Sequence, residues 1–238
     1  MMRFIPLGLA ATLTLAGCDV VPGRPKPDAR ELAPSEVMAF DPLYARNCAG
    51  CHGREGRLGA ARALNDPVYL TLVPPERMRR VIAVGVSGTA QPAFAVEAGG
   101  SLTDQQIDVL VRGIADRWRR PDAFARQEIP PYDGARAAGP SPVAGNADRG
   151  REVFAGSCAR CHGDDGRGGP RGGSVTDPSY LALVSDQHLR TTVIAGRSDL
   201  GMPDWRGDGG SAALTPQQVS DVVAWVVAQR RPVPGRLE

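Results

Sequence analysis

The residues with the clearest chemistry form two copies of one pattern, Cys48-Ala-Gly-Cys51-His52 and Cys158-Ala-Arg-Cys161-His162. Two cysteines separated by two residues on a helical turn can both reach the vinyl groups along one edge of a porphyrin. The histidine that follows then sits beneath the iron. The pattern predicts two covalently bound haem c groups. Cys48, Cys51, Cys158 and Cys161 are the expected attachment points, and His52 and His162 the expected proximal iron ligands. Other uses of such cysteines fit less well. A zinc ribbon spaces its pairs ~15–20 residues apart, whereas more than a hundred residues separate these. Disulfides suit an exported chain but do not require a histidine after each pair. A thioredoxin-type motif needs a βαβ setting, which this sequence does not offer.

Aligning Cys48 with Cys158 exposes an internal repeat. Asp66-Pro67-Val68-Tyr69-Leu70 stands opposite Asp177-Pro178-Ser179-Tyr180-Leu181, and Gly85 opposite Gly196. Leu102-Thr103-Asp104-Gln105-Gln106 stands opposite Leu214-Thr215-Pro216-Gln217-Gln218. The chain therefore reads as a first domain over 36–118 and a second over 146–231. Between them, residues 119–145 hold five prolines and no sustained apolar period, which reads as a linker. Each domain reads as helical. Asn146 caps a helix that runs into Cys158, with Val153 and Phe154 one turn above the motif. Short helices are expected over 76–84 and 187–195. Thr103 and Thr215 cap two longer ones, carrying Ile107, Leu110, Val111 and Ile114 in the first copy and Val219, Val222, Val223 and Val226 in the second. The Val-rich run has strand propensity, but its cap and its length favour helix. The expected fold class is all-α, with two tandem helical domains joined by a Pro-rich linker.

Composition narrows the function. Lys plus Arg number 28 against 26 Asp plus Glu, a formal charge of +2, which argues against a nucleic-acid binder driven by bulk charge. Apolar residues make up 42% and charged residues 23%, unlike a disordered chain. Aromatics are only 5%, and two porphyrins would supply the missing apolar bulk. No run reaches the ~18–20 apolar residues of a membrane span.

The first residues read as a leader. Arg3 is followed by an uncharged apolar run from Phe4 to Leu15, the form of a signal-peptide core. Leu15-Ala16-Gly17-Cys18 resembles the bacterial lipoprotein box. In that box the cysteine is diacylated and becomes the first mature residue. Residues 1–17 are then the signal peptide, Cys18 the lipidation site, and 18–35 a Pro-rich lipidated tether. Acyl chains on Cys18 would hold the protein to membrane lipid, since each buried methylene adds ~0.8 kcal/mol. Asp19, by the sorting rule of enteric bacteria, points to the inner membrane.

Over residues 36–231 the organisation resembles class I cytochrome c domains of the tandem dihaem bacterial type. The resemblance implies a small helical fold whose C-terminal helix crosses the first. It also implies a distal methionine in a G-x-M-P-like loop. Gly201-Met202-Pro203-Asp204-Trp205 matches that loop, 40 residues after His162, and makes Met202 the distal ligand of the second haem. In the first domain the aligned stretch is Gln91-Pro92-Ala93-Phe94, so Gln91 takes the methionine's place. Three outcomes follow for that iron. Gln91 ligates it through its amide oxygen, the iron is five-coordinate or holds water, or a donor arrives from elsewhere. His188 is the one histidine outside the motifs, and it reads as an exposed helix residue. Met38 and Met78 do not suit the loop. Arg57 and Arg167 are either partners for the haem propionates or solvated surface arginines. Cys18 is assigned to lipid, so no cysteine remains to ligate an iron.

A thioether ligand raises a haem's reduction potential, whereas a hard oxygen donor favours Fe(III). The first haem is therefore expected to be the lower of the two. The leading expectation is a membrane-tethered dihaem electron carrier on the periplasmic face, working between redox protein partners, either alone or as a subunit of a larger respiratory or photosynthetic complex. The alternative is a peroxidase-like enzyme acting at an open first haem.

Overall fold

The computed structural model describes residues 31–122, 124, 126–133, 144–207 and 212–232. The leader, Cys18 and most of the tether lie outside the described residues, as does the middle of the 119–145 segment. The chain divides into two units, Met1–Pro34 and Ser35–Glu238. The described part of the first, residues 31–34, is exposed. The second unit contains both copies of the repeat.

All regular elements among the described residues are helical, as the sequence predicts. The first copy runs α1 (Phe40–Asn47), α2 (Ala49–His52), α3 (Pro67–Leu72), α4 (Pro75–Val84) and α5 (Asp104–Trp118). The second runs α6 (Ala147–Ser157), α7 (Ala159–His162), α8 (Pro178–Leu183), α9 (Asp186–Ala195) and α10 (Pro216–Ala228). The starts are written locally. Asp66 and Asp177 each accept a hydrogen bond from the backbone N–H three residues on, and the proline that follows fits the first helical turn. These two short helices carry too few apolar positions to show a helical period. Thr103 with Gln106 and Thr215 with Gln218 form reciprocal capping boxes at α5 and α10. That start, and the burial of Val219, Val222 and Val226 along one face, overrides the strand propensity of the valine run.

In each half the last helix packs against the first. In the first half Phe40 and Tyr44 of α1 pack on Trp118 of α5, with ring centroids 6.0 and 5.3 Å from the indole. In the second, Phe154 of α6 lies 4.3 Å from the Trp225 ring of α10. The α6–α10 crossing is closer still, because Gly150 lets the two backbones touch. A Cβ there would stand 1.9 Å from the carbonyl oxygen of Asp221. Asp221 itself, buried, takes hydrogen bonds from Arg149, Gln217 and the backbone N–H of Asn146, which ties the start of α6 to α10.

A third apolar cluster joins the two halves. Val68 and Leu72 of α3 pack with Ile194, Ala195, Trp205 and Val219 of the second half. The segment read as a linker also takes part. Phe124, Ile129 and Tyr132 pack against this cluster. The guanidinium of Arg190 donates to the carbonyls of Pro131 and Tyr132. A Pro-rich stretch shows no apolar period, yet single side chains and carbonyls suffice to pin it down.

Gly150→Ala should lower the stability of the protein by about 2 kcal/mol or more, because the crossing must open to admit a methyl group. Gly156→Ala on the same helix meets nothing within 4 Å and should be neutral or stabilise by up to ~1 kcal/mol. Thermal unfolding of the two variants checks the pair.

Candidate functional site

The two cysteine motifs take the same local form. α1 and α6 each end at the first cysteine, whose backbone N–H donates to the carbonyl of Tyr44 or Phe154 at 2.8 Å. A single helical turn, α2 or α7, then carries the second cysteine and the histidine. The glycine after each histidine has φ +81° (Gly53) or +77° (Gly163), a region that L side chains avoid. The chain turns back there and brings a loop carbonyl to the imidazole. His52 Nδ1 lies 2.7 Å from the carbonyl oxygen of Arg62, and His162 Nδ1 lies 2.7 Å from that of Gly173. A carbonyl can only accept, so Nδ1 carries the proton and Nε2 is left with its lone pair, the tautomer a metal ligand needs. Burial also lowers the pKa of His52, which favours the neutral ring. Burial pushes the Cys48 thiol up to about 12 and the Cys158 thiol to about 11.

The second motif opens on a cleft of about 980 Å³, lined by Cys158, Cys161, His162 and Met202 among others. Phe154, Leu189 and Val222 give the cleft apolar walls. Two sulfur attachment points, an imidazole and a thioether around one largely apolar cavity are a donor set that fits a covalent haem.

The two ligand loops share a set of backbone hydrogen bonds. α4 and α9 end at Gly85 and Gly196. The next N–H, of Val86 or Arg197, donates at 3.0 Å to the carbonyl of Gln91 or Met202 respectively. The carbonyls of Phe94 and Trp205 both accept at 2.8 Å, from Leu102 and Leu214. Gln91 thus stands where Met202 stands. Their side chains differ: the Gln91 amide donates to the carbonyl of Pro92 at 3.2 Å, while Met202 lines the cleft. Met78 is buried in the first core, as Leu189 is in the second, and Met38 is exposed.

One expectation needs correction. His188 is not an exposed helix residue; it is half-buried and lines the cleft. Burial, reinforced by Arg62, Arg197 and His52, lowers its pKa to about 4. Arg57 and Arg167 are exposed, in keeping with the solvated reading of the two. The arginines lining the cleft include Arg62 and Arg197 instead. Arg62 occupies the position of Gly173 in the repeat, since each gives the carbonyl that holds its motif histidine. An arginine replacing a glycine at that position is the sequence signal that would have found it.

Each ligand loop leans on the other half. Arg197 donates to the carbonyl of Gly59 at 2.9 Å. Asp199, which pairs with Arg197, accepts from the backbone N–H of Leu58 at 2.8 Å. Ser198 donates to Asp66 at 2.8 Å. In the opposite direction, the N–H of Ala90 donates to the carbonyl of Leu183 at 3.0 Å. None of these contacts has a local sequence pattern.

Comparison with known proteins agrees with this geometry. The sequence model of the family described as cytochrome C oxidase, cbb3-type, subunit III matches residues 35–112 and 145–226, one stretch in each half. The chain is 28% identical over 189 residues to the Cbb3-type cytochrome c oxidase subunit FixP of Bradyrhizobium sp. (strain ORS 278), covering 69% of this chain and 53% of that protein. It is 30% identical over 214 residues to the Cbb3-type cytochrome c oxidase subunit CcoP of Rhodobacter capsulatus, covering 80% and 65%. It is 28% identical over 191 residues to a thiosulfate dehydrogenase of Stutzerimonas stutzeri, covering 76% and 57%. The chain thus spans about half to two thirds of the length of these relatives.

Proposed function

Because the chain belongs to the cbb3-type cytochrome c oxidase subunit III family, with a c-type cytochrome domain in each half and two covalent haem c groups, we propose that it carries single electrons between redox partners of a bacterial membrane complex. Haem iron supplies the one-electron chemistry, and the protein supplies attachment, orientation and tuning. Cys48 and Cys51 hold the first haem, and Cys158 and Cys161 the second. His52 and His162 are the proximal ligands, each fixed by its loop carbonyl. Met202 is the distal ligand of the second haem, and Gln91 stands at the distal position of the first. The observation that carries the reading is the docking of each ligand loop on the other half. It fixes the spacing of the two sites, as a relay requires.

The domain limits 36–118 and 146–231, with 119–145 between them, are part of the proposal. So is the lipid anchor. Among the described residues no helix is long and apolar enough to cross a membrane. The lipoprotein-like box ending at Cys18 supports a lipid-anchored chain on the periplasmic face of the inner membrane, with residues 1–17 removed. The match to a thiosulfate dehydrogenase keeps an enzymatic reading in the test.

The chain, reduced and then titrated with a one-electron oxidant, should release two electrons. It should show no sustained turnover of hydrogen peroxide or of thiosulfate. Steady consumption of either substrate would replace the carrier reading with an enzymatic one.

Gln91→Met puts a thioether at the position of the first distal ligand, with a side chain of similar length. The lower of the two reduction potentials should rise toward the higher, because sulfur favours Fe(II). A redox titration of wild type and variant checks this, and unchanged potentials would remove Gln91 from the distal position.

A further inference from the structure

The cleft of the second motif is not built by the second half alone. Ala60 and Arg62 of the first half line it beside Cys158, Cys161, His162 and Met202. Arg62 is only 6% exposed. Its Nη2 donates to Thr192 Oγ1, and its guanidinium lies 5.4 Å above the ring of Tyr69. Nε and Nη1 are buried with no hydrogen-bond partner, and among the described residues no carboxylate forms an ion pair with it. A guanidinium offers five N–H donors in a planar fork. Holding such a charge away from water is costly unless the fork is filled. Two other arginines that line the cleft are already engaged. Arg197 grips Asp199 and the Gly59 carbonyl, and Arg206 grips Asp204.

A haem carries two carboxylates on the edge opposite its vinyl groups. A carboxylate is the group that the arginine fork fits, with two parallel charge-assisted hydrogen bonds. We propose that Arg62, contributed by the first half, binds a carboxylate of the haem held in the second half. The proposal rests on the assignment of that haem to Cys158, Cys161, His162 and Met202. It makes Arg62 a residue of both sites. Its carbonyl orients the proximal histidine of the first, and its side chain closes the second. It also has an electrostatic consequence. An unpaired carboxylate beside the iron stabilises the ferric state, and a guanidinium on that carboxylate offsets it. Arg62 therefore holds the second potential up.

The test uses the full chain with both haems. Mass spectrometry of the haem-bearing peptides comes first. A haem on the Cys158–Cys161 peptide confirms the assignment, and its absence overturns the assignment and this proposal together. Redox titrations of wild type, Arg62→Gln and Arg62→Lys follow. The wave that moves in Met202→His identifies the second haem. Arg62→Gln should lower that wave while the first stays near its wild-type position. Arg62→Lys keeps the charge and should restore most of the shift. Thr192→Val removes the hydrogen bond that orients the guanidinium, and should give a smaller shift in the same direction even if Arg62→Gln does not accumulate. With the haem in place, an unmoved second wave in these variants overturns the proposal. So does a shift confined to the first wave, which would put the guanidinium against the other haem. A loss of thermal stability with both potentials unmoved would make Arg62 an interface residue only, and overturns it as well.

Discussion

The hydrogen bond from each motif imidazole to a loop carbonyl, 2.7 Å in both halves, is the contact that the rest of the molecule is arranged to keep. A histidine one residue beyond an attachment cysteine has little freedom along the chain, but its ring can still rotate. The carbonyl stops that rotation and fixes the tautomer. The carbonyl must in turn be held, and the loop that carries it is closed by hydrogen bonds of its own. In the first half the carbonyl of Gly56 accepts from the N–H groups of Leu64 and Asn65. In the second, the carbonyl of Gly166 accepts from those of Val175 and Thr176. Tyr44 of α1 donates to the carbonyl of Gly53 at 2.9 Å, which links the same loop to the helix crossing. The pairing of first and last helices therefore serves the imidazole as much as the core.

The two halves repeat this plan and then diverge where they meet. Arg62 and Gly173 do the same backbone work, yet only Arg62 has a side chain that reaches across the interface. Gln91 and Met202 occupy the same backbone position, yet only Met202 brings sulfur to a cleft. The loop from Arg197 to Asp199 grips the first half through charged groups, whereas Ala90 returns the contact with a single N–H. A duplicated fold has become an ordered pair whose two sites are chemically distinct. In the proposed carrier, that difference would give the electron a direction.

Much of this was legible in the sequence because covalent chemistry and helix starts are local. Both cysteine motifs, the caps at Thr103, Thr215 and Asn146, and the equivalence of Gln91 with Met202 follow from short spacings. The short helices after Asp66 and Asp177 were half-visible: the Asp-Pro pairs aligned, but six residues hold too little period to declare a helix. What stayed hidden depends on distance along the chain. The 119–145 segment has no pattern, and its packing becomes visible only when Arg190 is seen gripping Pro131 and Tyr132. His188 reads as a surface residue, yet it is half-buried at the cleft. Arg57 and Arg167 repeat and lie exposed, while Arg62, which lines the cleft, breaks the repeat.

The central claim is that one scaffold, used twice, offers methionine to only one of its two irons. Proton NMR of the reduced wild-type protein tests it most directly, because a methionine methyl held against an iron lies over the porphyrin and is shifted far upfield by the ring current. The account predicts one such methyl signal, absent in Met202→Ala. Two such signals, or none, would contradict it.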